Sequence, residues 1–177
     1  AVCYWDGLGF HVTCSQGLPA GLRIVSLSAL WRTDEAAIRE HFGRYATAED
    51  DALAALNTAL SDDPLCVWAD EGCVVEEPIH IAYTAAAQPS EAVMSHPRLL
   101  VLAHAASRVT LCEEYSAAGE GTSYMNAVVE IMAGDGAVVR VCKLQDSAAT
   151  QHYHTAHYSA RLATESALHF LSFQLKT

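Results

Sequence analysis

YMNAVVEIMAGDGAVVRVCKLQ, at residues 124–145, consists of two apolar segments of strand length separated by a Gly-Asp-Gly turn. Comparable apolar segments lie at 74–85 and 96–115, and ESALHFLSFQL follows at 165–175. The intervals between them are too short for the helical crossovers that an α/β fold needs. Strands that recur without intervening helices are typical of a sandwich, a barrel or a solenoid. Their spacing, on the order of ten residues, favours a stacked β-solenoid, which is a mainly β fold.

From Leu65 onward the apolar residues alternate with a period of two, as in strands that bury one face. The odd-numbered positions carry most of the apolar side chains, so we predict that they face the core. Cys112, Arg140 and Cys142 occupy even positions and are predicted to point outward. Val128 departs from the alternation because it is apolar at an even position.

The residues before Leu65 have a different pattern. Residues 1–14 predict two short strands around a Gly-rich turn. Thr33 is the predicted N-cap of a helix that Gly43 ends, and a second helix is predicted to begin at Thr47. These helices look like a small cap at one end of the solenoid rather than a catalytic domain.

The sequence therefore predicts two regions. Residues 1–64 form an N-terminal strand and helix cap, which includes a strand-like segment at 22–30, and residues 65–177 form the first part of a β-helix core. The chain opens without a methionine and closes just after a strand, so both ends are expected to be cuts in a longer protein.

Charge and hydropathy argue against two classes of partner. The formal net charge is −11, whereas nucleic-acid binding needs a basic face. No apolar run approaches the roughly 20 residues of a membrane span. We therefore expect neither a nucleic acid nor a membrane as partner.

Six cysteines are scattered through the chain without CxxC spacing, which argues against a zinc knuckle or a thioredoxin-type site. They are Cys3, Cys14, Cys66, Cys73, Cys112 and Cys142. This scatter along apolar segments fits a reducing compartment. A disulfide between Cys3 and Cys14 is the less favoured alternative. On outward positions, the thiolates of Cys112 and Cys142 could hold iron or persulfide sulfur, or the two residues could simply be small side chains on a half-covered sheet.

Three clustered histidines are candidate metal ligands. His152, His154 and His157 form an HxHxxH pattern that could bind zinc, iron or manganese if the backbone turned all three inward. The plainer interpretation is a polar loop with solvated histidines. A metal-dependent, cupin-like β enzyme would use such a cluster, but it would also need a carboxylate and a further histidine at matched strand positions.

Other catalytic patterns have little support. Glu113 and Glu114 are adjacent on a strand and point to opposite faces, so they cannot form a facing acid–base pair. No serine stands in a GxSxG elbow, and no GxxxxGK[ST] loop occurs. The chain is therefore not itself an ATPase, and we expect no catalytic residue.

Several segments together resemble one family. They are ALAALNTAL at 52–60, CVVEEPIHIAY at 73–83, HPRLLVLAHAASRVTLCEEY at 96–115, YMNAVVEI at 124–131, CKLQ at 142–145 and ESALHFLSFQL at 165–175. Their order is similar to that of the SufB/SufD family of the SUF iron–sulfur assembly system, and within it to SufD, with the paralogue SufB as the close alternative. His157 lies where that family usually has a histidine.

The resemblance implies a right-handed β-helix that follows a helical N-terminal region. It implies a non-enzymatic scaffold subunit of a SufBC2D-like complex, with a SufB-like paralogue and a SufC-like ATPase as partners and a homodimer as the alternative assembly. No firmly bound cofactor is implied, only a transient iron–sulfur cluster, iron and sulfide. The implied location is the bacterial cytoplasm or the plastid stroma.

One difference from the family limits which residue roles the resemblance can imply for this chain. The family's Cys-Ser-His-Gly segment does not occur here. Its functional residues therefore have no counterparts to which they could be assigned. A structural interaction module without further activity remains an alternative.

Overall fold

The computed structural model describes residues 2–5, 10–13, 17–47, 49, 51–146 and 151–175. Twelve strands and three helices lie within these ranges. The strands are β1 Val2–Trp5, β2 Phe10–Thr13, β3 Leu22–Ser26, β4 Leu65–Ala69, β5 Ile79–Ala87, β6 Ala92–Ser95, β7 Arg98–Ala103, β8 Arg108–Gly119, β9 Thr122–Ala133, β10 Val138–Gln145, β11 His152–Leu162 and β12 Ala167–Gln174. The helices are α1 Leu27–Thr33, α2 Glu35–His41 and α3 Ala52–Leu60.

From β4 onward the chain alternates between two sheets. The first sheet has the order β12-β10-β8-β5-β1-β2, and the second has the order β11-β9-β7-β4-β3, with β6 paired beside β9. Each turn contributes a strand to both sheets, and successive turns pair in parallel. The prediction of a mainly β solenoid is confirmed, and the stack has about four turns.

Register builds the core from ladders of side chains. In the first sheet Ile79 pairs with Leu111, Leu111 with Val141, and Val141 with Phe170. Strands in a sheet are about 4.8 Å apart, so equivalent side chains stack in van der Waals contact from turn to turn. The odd positions of β5, β8 and β10 are buried except for Gly119, Lys143 and Gln145, whereas Arg140 at an even position is exposed. The period-two prediction holds for these strands.

The second sheet is buried on both faces where the helices cover it. Leu30 of α1 and Ile38 of α2 pack with Trp68, Leu100 and Leu102 on its outer side. The helices thus lie against the flank of the stack, not over its end as the sequence predicted. The first strands at that end are β2 and β3.

Because the helical region covers the second sheet, Val128 can be apolar at an even position. Val128 of β9 is fully buried against Ala46 and Ala54 of the helical region. An amphipathic alternation cannot describe a strand that is buried on both faces.

The helices begin at aspartates rather than at the predicted threonines. Asp34 caps α2 by accepting a 3.1 Å hydrogen bond from the Ala37 amide, and Asp51 caps α3 by accepting a 2.8 Å bond from the Ala54 amide. Thr33 instead ends α1, where its hydroxyl donates to the Leu30 carbonyl. The predicted strand also stops early, at Ser26, because the Ser26 side chain caps α1.

A buried ion pair anchors the helical region to the solenoid. The Glu130 carboxylate accepts hydrogen bonds from the backbone amides of Gly43, Tyr45 and Ala46. It also binds the Arg98 guanidinium at 2.7 Å, and both side chains are fully buried. The Glu130 carboxylate of β9 therefore binds both the backbone of the segment after α2 and the Arg98 guanidinium of β7.

The boundary between residues 1–64 and 65–177 stays a prediction. Strands on both sides of it belong to the same sheets, because β1 pairs with β5 and β3 pairs with β4.

Candidate functional site

The structure places two of the three candidate histidines inside the solenoid and the third outside it. His152 and His154 pair with the inward-facing Ser123 and Met125 of β9, and their ring centroids are 6.4 Å apart. His157 has the opposite parity on β11, so it lies on the outer face, with Nδ1 3.8 Å from a carboxylate oxygen of Asp51. The strand geometry thus does not bring the three imidazoles to one metal.

In the part of the chain that the structure describes, no group of three or more histidine, cysteine, aspartate or glutamate side chains could hold a metal ion. A cupin is an antiparallel jelly roll, whereas the turns of this fold pair in parallel. The cupin-like alternative is therefore wrong for this chain, because its fold differs from the one observed.

An ionisable cluster lies between the two sheets, beside the inward histidines. Glu113 of β8 is fully buried, and its two carboxylate oxygens accept hydrogen bonds from the hydroxyls of Tyr115 at 3.0 Å and Tyr158 at 2.9 Å. Tyr158 comes from β11, so the carboxyl group links the two sheets. We call Glu113, Tyr115, Lys143, His154 and Tyr158 the lumen cluster.

Burial controls the protonation of Glu113. Loss of hydration raises the pKa of this carboxyl to about 7, and the two tyrosine hydrogen bonds and Lys143 oppose the rise. This buried carboxyl therefore keeps its proton to a higher pH than an exposed glutamate does.

The neighbouring groups extend the cluster along the register. Lys143 pairs with Glu113 on the next turn, and its ammonium lies 5.5 Å from the centre of the Tyr115 ring. Tyr83 stacks on Tyr115 at 4.8 Å, the spacing of adjacent strands. On the other side, the His154 ring lies 4.5 Å from that of Tyr115.

The two inward imidazoles are neutral and only partly satisfied. Burial, followed by the charges of Lys143 and His152, lowers the pKa of His154 to about 3. Among the described residues, neither ring nitrogen of His154 has a hydrogen-bond partner, and His152 has one only at Nδ1, which lies 2.8 Å from Ser123 Oγ.

The two candidate thiols lie outside the lumen. Cys112 and Cys142 are half-buried on the outer face of the first sheet and are paired in register. Burial, and then the neighbouring Cys142, raise the pKa of the Cys112 thiol. Cys66 and Cys73 are buried. The considered disulfide between Cys3 and Cys14 involves a residue, Cys14, that lies outside the described part of the chain.

Sequence reasoning missed the lumen cluster. It tested Glu113 only against its neighbour Glu114 and dismissed the pair. The usable signal was parity, because Glu113 and Tyr115 share the odd, inward register of Leu111. A charged residue at a core position of a strand is rarely buried without partners, so it indicates a polar cluster.

The fold and its interior define a β-solenoid protein with ionisable groups between its sheets. Residues 84–177 match the family model described as SUF system FeS cluster assembly, SufBD core domain. Residues 9–81 match the model of the SufBD protein N-terminal region. The chain belongs to the SufBD family.

Two curated proteins are similar in sequence to this chain. The iron-sulfur cluster assembly SufBD family protein slr0076 of Synechocystis is 28% identical over 137 residues, which cover 71% of this chain and 30% of the relative. The chloroplastic protein ABCI7 of Arabidopsis thaliana is 27% identical over 154 residues, which cover 83% of this chain and 32% of the relative. The chain thus spans about a third of the length of either relative.

The described helices are seven to nine residues long, and a bilayer span needs about 20.

Proposed function

We propose that this chain is part of a SufD-type scaffold subunit that supports iron–sulfur cluster assembly and transfer to apoproteins. The observation that carries the proposal is the order of the two family matches, an N-terminal region at 9–81 followed directly by a SufBD core at 84–177. Iron, sulfide and the nascent cluster would be cargo of the assembly rather than resident cofactors.

The proposed partners are a SufB-like paralogue and a SufC-like ATPase. The chain contains no phosphate-binding loop, so ATP hydrolysis would belong to the partner. The subunit itself would be non-catalytic. Its ladders of stacked strands provide a rigid body on which such partners could be positioned.

We place the subunit in a bacterial cytoplasm or a plastid stroma. A cyanobacterial and a chloroplastic relative support these two locations. The thiols at Cys112 and Cys142 would stay reduced in either compartment.

Co-expression with candidate partners tests the scaffold role. The protein would carry an affinity tag and be produced with the SufB-like and SufC-like proteins of its own genome, and then purified without oxygen. We expect a stable complex that, with iron and a sulfur donor, loads a cluster into an apo-ferredoxin faster than SufB-like and SufC-like proteins alone.

The matched control is the same preparation with a Glu35→Ala variant, which removes one charge from an exposed ion pair on α2 and should assemble like the parent protein. No complex with either partner, together with unchanged cluster transfer, would contradict the scaffold role. Binding of the SufB-like protein without any effect on cluster transfer would instead favour an interaction module.

A further inference from the structure

Two thiols stand side by side on the outer face of the first sheet. Cys112 of β8 and Cys142 of β10 are direct register partners on neighbouring parallel strands. Both side chains are half-buried. We propose that Cys112 and Cys142 form a two-coordinate thiolate site for a soft monovalent cation of the Cu(I) type.

The spacing of the strands suits a bridging cation. Register partners on parallel strands have β-carbons that project in the same direction about 4.8 Å apart. Two metal–sulfur bonds of about 2.3 Å, the length known for zinc, placed end to end would put the sulfur atoms about 4.6 Å apart, which is close to the spacing of the β-carbons that carry them. A cation can therefore lie between the two sulfur atoms while the sheet keeps its geometry.

The same spacing is unfavourable for a disulfide. A disulfide prefers β-carbons about 3.8 Å apart, so the two strands would have to approach each other by about 1 Å. The neighbouring ladders resist such a movement, because Val141 remains packed on Leu111 in the core beneath the thiols. The geometry thus favours a cation over an oxidised pair.

The number of ligands selects the kind of cation. Structural zinc takes four protein ligands, and no group of three or more histidine, cysteine, aspartate or glutamate side chains within the described ranges could hold a metal. Cu(I) prefers soft thiolates, and its filled d shell is satisfied by two collinear ligands. Two sulfur atoms are therefore a sufficient set of ligands for this ion.

The surroundings leave the site accessible but partly shielded. His80 is the register neighbour of Cys112 on one side, and Leu171 is that of Cys142 on the other. Both flanking side chains are exposed, so a cation can reach the thiols from solvent. The net charge of −11 raises the local concentration of cations around the protein.

Binding exchanges protons for the cation. Two thiols and one Cu(I) give a bis-thiolate complex and two released protons, with no change in oxidation state. The affinity should therefore increase with pH.

An anaerobic competition titration tests the site. Cu(I) is added to the purified, reduced protein in the presence of bicinchoninate, a coloured Cu(I) chelator. We expect one equivalent of Cu(I) to be withheld from the chelator, and X-ray absorption of the complex to show two sulfur ligands.

A matched variant relocates one thiol without changing the thiol count. In Arg140→Cys/Cys142→Ser the sulfur moves two residues along the same face of β10 and then faces Thr110 instead of Cys112. Loss of a direct ligand should exceed the 10–100-fold cost of losing an outer-shell partner, so we expect the Cu(I) affinity to fall more than about 100-fold. Cys66→Ala/Cys73→Ala keeps the pair and should bind Cu(I) like the parent protein.

Equal affinity in the relocated variant, or loss of binding in Cys66→Ala/Cys73→Ala, would overturn the proposal. So would a shell of three or four ligands in the X-ray absorption of the parent protein, a measurement that does not depend on any variant folding. The titration uses the isolated protein, so a failed thiol site leaves the scaffold role standing, and a failed partner assay leaves the thiol site standing.

Discussion

Replacing Glu130 by alanine should destabilise the protein more than any other single loss of charge in the described residues. The substitution leaves the fully buried Arg98 guanidinium without its carboxylate, and breaking a buried pair costs about 3–5 kcal/mol. It also orphans the amides of Gly43, Tyr45 and Ala46, each worth about 1–3 kcal/mol if no water replaces the carboxylate. We expect a loss of at least about 4 kcal/mol, a large share of the 5–15 kcal/mol typical of a domain.

Urea denaturation followed by tryptophan fluorescence measures this loss. Trp68 is a suitable probe because it lies on the outer face of the second sheet, in contact with the helical region that Glu130 anchors. The matched control is Glu35→Ala, which removes the same charge from the exposed Arg39 pair, with a nitrogen–oxygen distance of 2.6 Å. An exposed pair of this kind is worth no more than about 1 kcal/mol.

A double variant separates the charge from the backbone contacts. Arg98→Met/Glu130→Met removes both charges, so no uncompensated ion remains, and it should be more stable than Glu130→Ala. The reasoning is refuted if Glu130→Ala and Glu35→Ala lower the free energy of unfolding by the same amount. It is also refuted if the double variant is the least stable of the three.

Three further predictions concern the core and the outer face. The pKa of Glu113 rises from 4.5 to about 7 on folding, so the free energy of unfolding should fall by roughly 3 kcal/mol as the pH rises through this interval. Glu113→Gln should remove this pH dependence, measured by urea titrations at pH 4.5 and 7.5. An unchanged dependence in the variant would assign it to other groups. Phe170→Asp should cost about 2 kcal/mol rather than prevent folding, because the ring packs on Tyr158 at 4.7 Å yet stays 43% exposed; a melting temperature within a degree of the parent would contradict this. Cys112→Ser and Cys142→Ser should each change stability by less than about 1 kcal/mol in thermal melts, and a larger loss would show that the thiols belong to the core.

The sequence was sufficient for the strands because one physical signal dominates them. In β8 and β10 most inward positions are apolar, with Glu113 and Lys143 among the exceptions, and burial largely follows the alternation. The turn glycines then mark where each strand ends, as with Gly136, whose φ is +65°. Local patterns of this kind need no knowledge of distant residues.

The helical region was harder to predict because its limits depend on distant partners. Asp63, far along the chain, accepts hydrogen bonds from the backbone and hydroxyl of Ser28, so a helix forms where local alternation indicated a strand. Burial of Val128 depends equally on Ala54, which is distant in sequence. A reading of neighbouring residues cannot anticipate either contact.

Whether a candidate residue lies in the lumen or on the outer face depends on its odd or even position along its strand. HxHxxH has two spacings, an even one that keeps His152 and His154 on one face and an odd one that sends His157 to the other. The same rule correctly separates Cys112 from Glu113, but it does not say which polar residues will meet inside the solenoid. That depends on Tyr158, which reaches Glu113 from the opposite sheet.

Parallel register couples the inner and outer chemistry of this solenoid. Cys112 pairs with Cys142 on the outer face, and the adjacent Glu113 pairs with Lys143 in the lumen. Both pairs depend on one alignment of β8 with β10. A slip of β10 by one residue against β8 would therefore separate the thiols and expose Lys143 at once. The thiol pair and the lumen cluster are therefore two consequences of one strand alignment, and neither can be moved without the other.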